Sequence, residues 1–243
     1  MQMYPLRRPT LPLPHGCGNP KTNRTNVYIS TVFRHNLGVA ATSTTALPAV
    51  GQHPYEVQLD ALEDVLGADL VAGALGTGPL TSAAELAVVL ERYRTTLLEP
   101  IELPALTNAR RLTSRGRTKE LIGLDQKFPG NHPEWLPLAA GSTRFGRDYL
   151  ARLRPLRDER VVQRMLEAVQ TGKTPGHHPI VFGLTMAIYA IPERQGLADY
   201  AQGALAAVIA SAAGKLKLTQ DDRAALLAPS QAHLPQAISR MVA

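Results

Sequence analysis

Cysteine is almost missing from this chain. Cys17 stands alone among 243 residues, so no internal disulfide can form and a thiolate metal cage is excluded. That usage is compatible with a cytosolic home. Aromatic residues are scarce at 5%, while alanine and leucine dominate the second half, a mix that favours helices over strands. No charge-free apolar run reaches the length of about 18 residues that a membrane span needs. The most apolar stretch, Gly203 to Gly214, is short enough to read as a buried core helix. Acidic residues are absent before Glu56, and a compact apolar signal-peptide core is absent from the same region. An acid-free leader with arginine, serine and threonine also suits a transit peptide, but Pro5, Pro9, Pro12, Pro14 and Pro20 work against the amphipathic helix such a peptide forms.

The formal charge of +6 comes almost entirely from that leader, where Arg7, Arg8, Lys21, Arg24 and Arg34 have no acid to oppose them. The rest of the chain is nearly neutral, so its high isoelectric point says little about partners. Residues 1–55 are prolines, threonines and asparagines without a sustained period, and read as a disordered or divergent basic leader, with one short apolar run from Val27 to Phe33 that suits an isolated strand. From about residue 56 to 243 the pattern is helical, and predicts an all-α bundle of eight or nine short helices.

Leu59, Leu62, Leu66 and Leu70 recur at spacings of three and four, the stripe of an amphipathic helix. After glycines 73, 76 and 78, Ser82 and Glu85 form a capping box, and the helix they start is expected to end near Leu98, ahead of Pro100. A helix over Leu103–Leu112 carries Pro104 in its first turn. A further piece ends near Gln126, and Phe128–Pro137 reads as a loop. Arginine-rich helices follow over about 138–154 and 156–170, then a linker from Gly172 to Gly176. The last helices are predicted over about 178–190, 196–216 and 220–228, with Thr219 as N-cap and Pro229 as terminator. No fixed-period repeat is present.

Catalytic constellations do not assemble by spacing. Gly76-Thr77-Gly78 and Gly172-Lys173-Thr174 lack the pattern of a phosphate loop, and Cys17 has no base nearby. Nothing calls for a bound cofactor. His177 and His178, with His53 and His132 elsewhere, suggest a nickel site, imidazole being a good ligand for that metal. Adjacent histidines chelate one ion poorly, so a capping or interface pair ahead of Pro179 is the better reading. The arginines at 144, 147, 152, 154, 157, 160 and 164 suit either an acidic-partner surface or a solvated face partly neutralised by Asp148, Asp158, Glu159 and Glu167.

Three segments carry a family resemblance. Ala74 to Leu106 reads as a glycine-ended helix, a capped helix and an acid-leucine-proline start. Ser142-Thr143-Arg144-Phe145-Gly146-Arg147 is a serine, three residues, then glycine-arginine. His177-His178-Pro179 opens a helix that is followed by Ile191-Pro192, Tyr200, Leu216 and Gln220. In this order they resemble the urease accessory protein F family. Two family features are not found: the proline-threonine-glycine entry, whose place is taken by His53, Pro54 and Tyr55, and the histidine-glutamate C-terminal tail, where this chain reads Ile238-Ser239-Arg240-Met241-Val242-Ala243. The resemblance implies a non-catalytic, cytoplasmic adaptor for nickel insertion into urease. Its partners would be a scaffold accessory protein (UreD/UreH type), a nickel-carrying GTPase (UreG type) and the urease apoprotein, and it would work as a homodimer without nucleic acid or membrane. Arg144, Arg147, His177, His178 and Gln220 are the partner-binding residues it implies. A small helical basic DNA-associated regulator, using the basic leader and the Arg144–Arg164 stretch, or another helical protein-interaction module, is the alternative.

Overall fold

The computed structural model describes residues 53–242 except 129, 131 and 154–158. Cys17, the strand expected over Val27–Phe33, Arg154, Arg157 and Asp158 lie outside the described residues. Among those described the chain is helical and contains no strand. The helices are α1 (Pro54–Asp60), α2 (Ala68–Ala74), α3 (Ala83–Tyr93), α4 (Leu103–Ser114), α5 (Thr118–Lys127), α6 (Ala139–Arg152), α7 (Arg160–Gln170), α8 (His178–Ile188), α9 (Glu193–Leu216) and α10 (Gln220–Val242). Short 3-10 turns cover Ala61–Asp64 and Pro133–Leu138, and a π-helical segment, Arg94–Glu102, joins α3 to α4.

The local signals that hold are those written within one turn. Ser82 Oγ accepts the Glu85 amide at 3.2 Å, and Glu85 returns a carboxylate oxygen to the Ser82 amide at 3.1 Å. Thr219 and Asp222 make the same reciprocal arrangement ahead of α10. Three expectations change. The leucine stripe from Leu59 to Leu70 is not one helix: the 3-10 turn and Gly67 break it, the phase shifts, and Leu70 is left 40% exposed. Gly67 has no side chain to cap α2, so Ser211 of α9 does it, accepting the Ala68 amide at 2.7 Å.

Pro100 does not end its helix, because it sits in the π-helical segment. A proline removes one backbone donor and pushes away the carbonyl four residues back, and wider i→i+5 bonding accommodates both. Arg94 pairs with Glu99, five residues on, across one such wide turn, and with Glu91 on the preceding one. Pro229 does not end α10 either. Pro229 and Pro235 both lie on its exposed side, while Ser230, Leu234, Ala237 and Ile238 are buried at helical spacing and hold the helix down.

Helix α8 runs through the middle: every residue from His178 to Met186 is buried. Its tightest neighbour is α4. A Cβ on Gly183 would stand 2.8 Å from Ala109 Cβ and 3.0 Å from the Arg110 amide nitrogen, and closer still to the Leu106 carbonyl oxygen. Only glycine permits this approach. The long α9 packs against α1, α2, α3, α4 and α10, with Leu197, Tyr200, Leu205, Val208 and Ile209 buried along it. Gly183→Ala is expected to destabilise the fold by about 3 kcal/mol, because backbone rather than a flexible side chain must give way. Urea denaturation of the two proteins checks it; an unchanged midpoint would contradict the packing described.

Candidate functional site

Inside the bundle, two carboxylates are fully buried, Glu102 among neutral donors and Asp125 against His177. Glu102, the last residue of the π-helical segment, accepts Trp135 Nε1–H at 3.0 Å on one oxygen, and Tyr93 and Tyr200 hydroxyls at 3.0 and 2.8 Å on the other. Tyr93 and Glu102 are nine residues apart, two and a half turns of α-helix, which would place them on opposite sides. In i→i+5 geometry two turns take about nine residues, which brings them to one side. Burial pushes the Glu102 carboxyl up from the ordinary carboxylate range, and the bonds from Trp135, Tyr200 and Tyr93 oppose that rise.

The network continues to His178. Its Nε2 lies 2.6 Å from the Tyr200 hydroxyl, and its Nδ1 lies 2.9 Å from Ser142 Oγ. Tyr200 spends its proton on Glu102, so His178 Nε2 must be the donor to Tyr200. Nδ1 is then an acceptor, and the Ser142 hydroxyl donates to it while accepting the His178 amide at 3.0 Å. One neutral tautomer satisfies every atom. Burial, and then the charge of His177, push the imidazole down from 6.5 to about 3, so it stays neutral in ordinary solution. Ser142, His178, Tyr200 and Glu102 are each at most 1% exposed, so the serine–histidine contact is sealed from substrate and works as a structural lock.

Asp125, on α5, is the second buried carboxylate. It accepts the Thr174 hydroxyl at 2.6 Å, the Gly176 amide at 2.6 Å, and the His177 amide and Nδ1 at 2.8 and 3.0 Å. These bonds fix the link between α7 and α8. Helix α6 lies directly on that link, where a Cβ on Gly146 would stand 3.0 Å from the His178 amide nitrogen and collide with the Gly176 carbonyl oxygen. Arg147, the next residue, donates from Nε to the Pro175 carbonyl at 2.8 Å.

The residues expected to bind partners therefore separate. Arg147, His177 and His178 meet around the α7–α8 link, and Arg144 is exposed one turn back on α6. The two histidines are not at the surface, being 2% and 1% exposed. Their rings serve Asp125 and the Ser142–Tyr200 pair. Nor does His177 cap α8 with its side chain, although it holds the N-cap position. Gln220 is exposed in the first turn of α10, and no described hydrogen bond joins it to the others. Among the described residues no group of three or more histidine, cysteine, aspartate or glutamate side chains is placed to hold a metal. Sequence reasoning missed Glu102, Asp125 and Trp135. The only signal was an acid set between Ile101 and Leu103 and another beside Leu124, each inside an apolar helical face.

The depressed His178 value gives a pH prediction with a definite sign. The unfolded chain takes up a proton below its ordinary 6.5 and the folded chain does not, so this stabilisation is present above 6.5 and drains away as pH falls towards 3. Glu102, raised from 4.5, acts in the opposite direction, losing stability as pH rises through its own range. Comparing the chain with His178→Gln isolates the histidine. The stability gap between the two is expected to shrink by about 2 kcal/mol from pH 6.5 to 5. Denaturant titrations at both values read this, and a constant gap would refute it.

No individual curated protein matches the chain. The family model UreF matches residues 80–231, more than half of its length. That span runs from the lead-in to α3 to the middle of α10 and contains both buried carboxylates and both histidines. The chain belongs to the UreF family, and with it to the accessory proteins of urease maturation.

Proposed function

We propose that this chain is a non-catalytic adaptor that bridges the scaffold accessory protein and the nickel-carrying GTPase while nickel is delivered to the urease apoprotein, and that it controls when GTP is hydrolysed. The family match over residues 80–231 carries this reading. The chemistry of the interior supports it. The polar groups that could do proton transfer, Glu102, Tyr200 and His178, are committed to one another away from solvent, so the useful surface is the outside of the bundle. Nickel is then cargo of the assembly, passed beside this chain. The body responsible is the helical domain, residues 56–243, and it acts as a homodimer in the cytoplasm, without nucleic acid or membrane. No described helix is long and apolar enough to cross a bilayer.

Arg144 and Arg147, exposed on α6, and Gln220, exposed on α10, are the partner-contacting residues in this reading. An arginine fork can take a partner carboxylate in two parallel bonds, which lysine cannot reproduce. His177 and His178 act from beneath, by fixing the backbone on which Arg147 rests.

Purified chain mixed with the GTPase and the scaffold protein is expected to co-elute with both in size-exclusion chromatography with light scattering. Arg144→Glu with Arg147→Glu is expected to weaken capture at least tenfold without altering the helical content. Separate elution of all three components would contradict the proposal.

A further inference from the structure

The link between α7 and α8 is more ordered than an exposed connection needs to be. Its amides are all used: Gly172 on Val169, Lys173 and Thr174 on Ala168, Gly176 and His177 on the Asp125 carboxylate. Pro175 has none to place. Two of its carbonyls are also held, that of Lys173 by Gln126 Nε2 at 2.8 Å and that of Pro175 by Arg147 Nε at 2.8 Å. A loop pinned on three sides costs little further ordering when something binds to it.

What this loop offers to solvent is positive charge. Lys173 is exposed at its tip, Arg147 is exposed beside Pro175, and Lys127 is exposed next to Gln126, the residue that holds the Lys173 carbonyl. None of the three has an ion-pair partner among the described residues. Arg147 uses only Nε on the loop, which leaves its two terminal nitrogens for a carboxylate. The segment from His53 to Glu91 adds no cation to these three, having Glu56, Asp60, Glu63, Asp64, Asp69, Glu85 and Glu91 and no lysine or arginine. A compact cationic patch on a rigid loop fits carboxylates presented by another protein.

We propose that the loop Gly172–Gly176, with Lys127, Arg147 and Lys173 around it, is a preorganised docking surface for an acidic protein segment. This deepens the adaptor reading and rests on it for its biological setting, since it adds the chemistry of one partner's contact. Asp125 is the positioning residue: it touches no partner and sets the loop that does.

The test uses the full chain and a fluorescein-labelled ten-residue peptide rich in glutamate, titrated by anisotropy at low and physiological salt. Lys127→Glu with Lys173→Glu is expected to weaken binding at least tenfold. Arg194→Glu, an exposed reversal in the first turn of α9, beyond the opposite end of α8 from the loop, is expected to leave it unchanged. Asp125→Asn, which keeps every surface charge, is expected to weaken binding several-fold with helical content preserved, and a purely structural role for Asp125 would not move that affinity. Equal losses from the Arg194 control and the loop pair, or no loss from the loop pair, would overturn the proposal. So would tighter binding of a 20-base-pair DNA duplex that depends on the same lysines. Binding of the GTPase is measured in parallel. A chain that binds the peptide through these residues but not the GTPase keeps the docking surface and removes the adaptor reading. A chain whose GTPase binding and peptide binding both survive the reversals removes the docking surface and leaves the adaptor reading standing.

Discussion

The Glu102 carboxylate is the interaction on which the interior is built. A carboxylate taken out of water without a cation is costly unless its lone pairs are filled, and here three neutral donors fill them. Each donor belongs to a different element: Tyr93 to α3, Trp135 to the 3-10 turn before α6, Tyr200 to α9. Through Tyr200 and His178 the same chain of bonds reaches α8 and Ser142 on α6. Apolar packing brings these helices together and sets their rotation coarsely. The polar chain refines their rotation, because hydrogen bonds weaken steeply when a helix turns out of line. The π-helical segment serves that arrangement, since its wide turns align Tyr93 with Glu102 nine residues later.

Asp125 does for the surface what Glu102 does for the core. It gathers four donors from one short link, and the link in turn seats Arg147 and exposes Lys173. Interior and exterior are thereby coupled through adjacent residues, His177 facing Asp125 and His178 facing Ser142. A protein whose work is to hold partners gains from this, because a binding surface with fixed backbone loses little entropy on association. The family's accessory role in urease maturation suits a body of this kind, with a rigid helical core and its chemistry committed to its own architecture.

Much of the architecture was legible in the residues because helices are local. The capping box at Ser82 and Glu85, the Thr219 cap and the apolar face of α3 follow from local spacing, and the core of α9 from the apolar run Gly203–Gly214. What stayed hidden was either long-range or dependent on context. Ser142 and His178 are 36 residues apart, Asp125 and His177 52, and Glu102 and Tyr200 98, and no spacing rule connects such pairs. The prolines misled because their cost of about 3 kcal/mol in a helix interior is a local quantity. It was offset at Pro100 by a change of helix type and at Pro229 by the buried residues on the opposite side. The surroundings of the histidine pair were hidden because they too are long-range. Two polar residues in sequence look like surface, and only the buried acceptors supplied by Asp125 and Ser142 make them core.

A double-mutant cycle at the carboxylate tests the central claim most directly, combining Glu102→Gln with Tyr200→Phe and measuring the unfolding free energy of all four proteins. If Glu102 and Tyr200 form one polar unit, the double mutant is less destabilised than the two single changes added together, with a coupling of about 1–3 kcal/mol. Additive effects would mean that the two side chains do not depend on each other, and that apolar packing alone sets the arrangement of the helices.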